Sequence, residues 1–114
     1  MYMMTCFCVE SGPVEHFQLT ARSSSVLFLQ WDPPLNSNSQ VQYYVVTYRG
    51  IRSGSCSVQP EPWSPLMDVE SDKTELELPD LTSYTKYQVR IWPHTEAGKG
   101  QELVMSATTE PAGN

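Results

Sequence analysis

Residues 81–100 read LTSYTKYQVRIWPHTEAGKG, and this stretch decides the fold. Tyr87, Val89 and Ile91 fall on one side of an extended backbone, and Gln88, Arg90 and Trp92 on the other. Side chains alternate along a strand with a period of two, so the pattern predicts a strand with one buried face. Pro93 lacks a ladder donor and the run Glu96-Ala97-Gly98-Lys99-Gly100 supplies turn dihedrals, so the strand is expected to end there. Upstream, Leu81 and Tyr87 bracket a short polar segment. It reads as a corner where the chain crosses between two sheets.

Outward from this strand the same period recurs. Phe17, Leu19 and Ala21 alternate with polar residues over Glu15 to Ala21. After the turn Ser23-Ser24-Ser25, Leu27, Leu29 and Trp31 alternate as far as Asp32-Pro33-Pro34. Trp31 is expected to be the largest core residue, because its indole removes more apolar area from water than its neighbours do. Val41 to Arg49 is the longest candidate, with Tyr44, Val46 and Tyr48 on one face and Tyr43, Val45 and Thr47 on the other. Residues 50–65 read as irregular, and a short edge strand is expected between Trp63 and Val69, its prolines blunting the edge. Over Thr74 to Leu78, Leu76 and Leu78 turn inward while Glu75 and Glu77 face solvent. Leu103 to Thr108 forms the last strand. Short strands with turn signals at roughly 8–12-residue spacing predict an all-β sandwich.

A chain of 114 residues makes one domain, burying about 65% of the surface its unfolded form exposes. Nine prolines and six glycines punctuate short segments and favour all-β structure. The net charge of -6 argues against nucleic acid or an anionic membrane surface as partner. No apolar run is long enough to insert in a bilayer. The opening MYMMTCFCVE lacks a basic start and a small-residue cleavage site, so it is not read as a signal peptide. Residues 1–12 are taken as a tail or linker, 13–110 as the domain and 111–114 as a C-terminal linker.

Three cysteines, Cys6, Cys8 and Cys56, cannot all pair within one chain. They are either free thiols, or Cys6 or Cys8 bridges to Cys56 and the remaining thiol makes an intermolecular contact. Cys6, Cys8 and His16 lack a fourth zinc ligand and are too tightly spaced. Neither His16 nor His94 has a nucleophile at motif spacing, and no phosphate loop or paired acid motif is present. Glu75, Glu77 and Asp80 read as the solvated face of a strand rather than a cation site. No catalytic activity, metal or cofactor is expected.

The residues resemble the fibronectin type III family. Trp31-Asp32-Pro33-Pro34 looks like its tryptophan and following loop, and Tyr44-Val45-Val46-Thr47-Tyr48-Arg49 is similar to its third-strand pattern. Leu81 to Tyr87 resembles its corner, and Ala97-Gly98-Lys99-Gly100 its last loop. The resemblance covers about Pro13 to Glu110. It implies a seven-stranded immunoglobulin-like β-sandwich of the fibronectin type III type, with Tyr87 sending its hydroxyl back to backbone near Leu81. Two departures stand out: Tyr84 occupies a corner position where proline is common, and residues 53–65 are longer and more proline-rich than usual. The last loop carries no Arg-Gly-Asp, Trp63-Ser64 is unrepeated, and no Asn-x-Ser/Thr occurs.

The expected core is Trp31, Tyr44, Val46, Leu81, Tyr87 and Val89. The expected outward face of the two central strands carries Tyr43, Val45, Thr47 and Arg49 beside Gln88, Arg90 and Trp92, with Trp63 extending the row. Aromatics and arginine are enriched at binding hot spots, so Tyr43, Val45, Trp63, Arg90 and Trp92 are partner-binding candidates. The other reading is that Trp92 and Tyr43 are cross-strand pairs stiffening the sheet, with Arg90 stacked on Trp92. Glu96 and Lys99 are candidates because loops carry function. The resemblance implies a non-catalytic interaction and spacer module, one of a tandem array outside the cell in an adhesion or signalling receptor of the receptor tyrosine phosphatase or neural adhesion type. Its partners would be proteins and neighbouring fibronectin type III or immunoglobulin-like domains. The alternative is the same module in an intracellular scaffold or cytoskeletal protein.

Overall fold

The computed structural model of the chain describes residues 12–35, 40–53, 58–60 and 62–111. The three cysteines and most of the loop after Pro34 lie outside them. The described residues form strands and turns without a helix. Strands β1 (Glu15–Ala21), β2 (Leu27–Asp32) and β6 (Glu75–Leu78) make a three-stranded antiparallel sheet in the order β1-β2-β6. The larger sheet is built on β3 (Tyr43–Ser53) and β7 (Lys86–Thr95). β4 (Val58–Pro60) and β5 (Met67–Glu70) pair with β3, and β8 (Gly98–Lys99) and β9 (Leu103–Thr108) with β7.

The two sheets pack face to face because their alternating apolar sets coincide. Leu27, Leu29 and Trp31 from the small sheet meet Tyr44, Val46, Val89 and Ile91 from the large one in a single buried cluster. Leu81 and Tyr87 belong to the same cluster. The Trp31 and Tyr44 rings meet edge to face at 5.4 Å. Burial raises the Tyr44 phenol above its ordinary value of 10.0, since a phenolate in this cluster would lose its hydration.

Three features depart from the sequence reading. The strand through Tyr87 does not stop at Pro93 but runs on to Thr95. Pro93 can sit inside it because it falls where β7 changes partners, between its pairing with β9 and its pairing with β8. Its carbonyl still accepts a 2.8 Å bond from the Gly100 amide, and no ladder there demands the missing donor. The strand then turns at once through Glu96 and Ala97 into β8, with Gly98 at φ +105°. Residues 50–65 are not wholly irregular, because β3 extends to Ser53 and pairs with β4. The expected edge strand near Trp63 is β5, and Trp63 itself precedes it in a strap, residues 62–66.

The corner is held by side chains. Tyr87 Oη accepts the Thr82 amide at 2.9 Å. The Thr109 hydroxyl, buried, donates to the Thr82 carbonyl at 2.7 Å and accepts the Thr85 amide at 3.0 Å. Polar backbone that leaves both sheets is thereby satisfied away from water.

Candidate functional site

The outer face of β3 and β7 is where the candidate residues gather. Parity places Val45, Thr47 and Arg49 opposite Trp92, Arg90 and Gln88 in register. The strap 62–66 crosses this face and is fastened by Ser64. Its amide donates to the Tyr48 carbonyl at 2.7 Å, and its hydroxyl accepts the Tyr48 amide at 3.1 Å. The Thr47 hydroxyl donates to the Ser64 carbonyl at 2.7 Å. Ser64 thus stands in for a strand residue that the proline-rich strap cannot supply.

The strap lays the Trp63 indole against two guanidinium groups, Arg49 at 4.2 Å and Arg90 at 4.0 Å from the ring centroid. Arg90 also lies 5.5 Å from the Trp92 ring, which carries Lys99 at 4.2 Å. Glu102 completes the stack, 2.9 Å from Lys99 and 3.8 Å from Arg90, while Arg49 Nε donates to Gln88 at 2.8 Å. Cations over indole faces are attracted by the ring quadrupole, worth about 0.5–2 kcal/mol each with burial. Arg90 Nε is buried without a hydrogen-bond partner among the described residues, so the guanidinium is held by the indole faces and by the longer contact from Nη1 to Glu102.

This corrects the expected accessibility of the patch. Val45 and Trp92 are only 5% and 7% exposed, because Trp92 lies beneath Lys99 and Arg90 and the strap covers the neighbouring sheet. Trp63 and Arg90 are half-buried, and Lys99 is exposed. Tyr43 stands at the far end of the face, stacked on His94 at 4.7 Å and 12°. Glu96 is exposed at the hairpin tip and has no part in the stack. The structure therefore assembles Trp63, Arg90, Trp92 and Lys99, sets Tyr43 beside them and leaves Glu96 apart. Arg49 and Glu102 were absent from the candidates. Arg49 was visible by parity, whereas Glu102 reaches the stack only through the β8–β9 fold-back.

Elsewhere, an open groove of about 250 Å³ lies on the small sheet beside His16, Gln18, Gln30 and Asp32. Its His16–Asp32 contact of 2.9 Å is exposed to solvent. Among the described residues no three His, Cys, Asp or Glu side chains are placed to hold a metal ion. Nor is any helix long and apolar enough to cross a membrane.

The family model for the fibronectin type III domain matches residues 12–109. The chain belongs to this family. Its sandwich is a non-catalytic fold, and this fibronectin type III domain is not an enzyme. It is 32% identical over 100 residues to neural cell adhesion molecule L1 of Takifugu rubripes, covering 86% of this chain and 7% of that protein. It is 34% identical over 94 residues to receptor-type tyrosine-protein phosphatase F of Mus musculus, covering 81% of this chain and 4% of that one. The chain thus spans a small fraction of the length of these curated relatives. The solution structure of the fn3 domain of human collagen alpha-1(XX) chain matches with a TM-score of 0.73 at 22% identity, over 97% of this chain and 96% of that one. That likeness carries the fold.

Proposed function

We propose that this domain is a protein-interaction and spacer module, one of a tandem array in the extracellular region of a cell-surface adhesion or signalling receptor. The observation that carries the reading is where the chain enters and leaves. Glu15 pairs with Asp32 at one end of the sandwich. At the other end the Glu110 amide donates to the Ser23 carbonyl and the Leu81 amide to the Ser25 carbonyl. Entry and exit at opposite ends of a rigid sandwich let copies follow one another in line and leave sheet faces and loops for partners. The likeness to an adhesion molecule and a receptor-type phosphatase supports the same reading. The half-buried and exposed members of the stack, Trp63, Arg90 and Lys99, are the proposed contact residues, with Tyr43 beside them and Glu96 at the hairpin tip.

The test is surface biotinylation of the full-length parent in intact cells, detected through this domain. Labelling of intact cells is expected. Labelling that needs permeabilisation would overturn the receptor reading and favour an intracellular scaffold.

A further inference from the structure

We propose that the far end of the large sheet's outer face is a self-complementary contact through which two copies of this domain pair. The proposal rests on reading the domain as an interaction module and names its partner. Four strands contribute one residue each to a single lateral row: Glu70 on β5 is opposite Tyr43, Tyr43 opposite His94, and His94 opposite Lys99 on β8. All four side chains lie on the outer face, since Val69, Tyr44 and Pro93, next to them in sequence, are buried. The row therefore runs carboxylate, phenol, imidazole, ammonium across the sheet. Its two ends are exposed and opposite in charge, and its centre is the flat Tyr43–His94 stack. Asp68, two residues before Glu70, reinforces the acidic edge, and Arg90 lies toward the basic one. Among the described residues neither Asp68 nor Glu70 has an ion-pair partner. Lys99 bonds Glu102 while keeping an exposed ammonium that a second carboxylate can share.

A row ordered in this way complements its own reverse. A two-fold axis in the contact plane, parallel to the strands, lays one copy's Glu70 on its partner's Lys99 and Tyr43 on its partner's His94, and does so twice. A uniformly acidic partner would meet Glu70 and Asp68 as repulsion, and a uniformly basic one would meet Lys99 and Arg90. A second copy satisfies both edges at once. The net charge of -6 works against random association of copies, so only the register that pairs these edges gains.

Sedimentation of the purified chain over a range of concentrations tests this. A reversible dimer is expected at low salt, weakened at about 1 M salt, where screening reaches about 3 Å. Glu70→Lys and Lys99→Glu should each weaken it about tenfold or more, since each sets like charges opposite one another. Mixing the two variants should restore a heterodimer, and combining both changes in one chain should restore the homodimer. Thermal melts of each variant establish that it is folded. A chain that stays monomeric to about 1 mM, or a dimer indifferent to the charge swaps, would overturn the proposal. A monomeric domain labelled at the cell surface would sink the pairing and leave the receptor module standing. A swap-sensitive dimer from a parent confined inside cells would do the reverse.

Discussion

At the scale of single residues the corner shows how one unusual dihedral decides which side chains fit. Tyr84 holds φ at +49° and is 75% exposed, so its ring contributes little and its backbone conformation costs about 1 kcal/mol. Its amide also donates to the Glu110 carbonyl at 3.0 Å. Proline, common in this corner of the family, fixes φ near -65° and has no amide hydrogen. Tyr84→Gly is expected to stabilise the domain by about 0.5–1 kcal/mol. Tyr84→Pro should destabilise it by at least about 2 kcal/mol. Chemical denaturation of both variants checks this, and equal midpoints would show that the corner adapts. Thr109 is the residue that sequence reading missed. Nothing about Thr-Thr-Glu near a terminus announces a buried hydroxyl bridging Thr82 and Thr85 across the turn of the corner.

At the scale of elements, both edges of the large sheet are broken in the middle, and each break is repaired differently. Along β7 the gap between β8 and β9 accommodates Pro93. Along β3 the gap between β4 and β5 is crossed by the strap, and Ser64 substitutes side chain for backbone. Ser64→Ala removes the acceptor of the Tyr48 amide beside the buried Thr47. It should cost about 1–3 kcal/mol and loosen Trp63 from Arg49 and Arg90. The readout is the denaturation midpoint together with accessibility of Trp63 to a fluorescence quencher. A lower midpoint with unchanged quenching would mean that the indole stack, rather than the serine, fastens the strap. Broken edges also keep long unpaired rims from templating aggregation.

At the scale of the molecule the sheets share one core and should unfold as one unit. Leu29 is fully buried in the small sheet, in the cluster that also holds Tyr44 and Val46 of the large one. Leu29→Ala is expected to cost about 2–5 kcal/mol through lost burial and a residual cavity. Far-UV circular dichroism, which follows both sheets, and tryptophan fluorescence should still give coincident transitions. Separated transitions would show that the sheets are independent. The charges are arranged on a larger scale than any pair. Cations crowd the centre and β8 edge of one outer face, and carboxylates line the β5 edge.

What the sequence determined by itself is the set of inward residues and the order of the strands. Period-two alternation is imposed by the backbone, so alternation alone assigns Leu27, Leu29, Trp31, Tyr44, Val46, Val89 and Ile91 to the inward side. The corner was legible too, because leucine and tyrosine flank a polar segment too short for other structure. What only the tertiary structure decided is everything that depends on which strand lies beside which. Pro93 stays in a strand because its missing donor falls in a gap. Val45 and Trp92 are hidden although their parity is outward, because a strap and long cationic side chains lie over that face. The row from Glu70 to Lys99 draws on residues spread from Tyr43 to Lys99. Alternation fixes the side to which a residue points, but only hydrogen-bonded register fixes its neighbour, and register is a property of the assembled sheet.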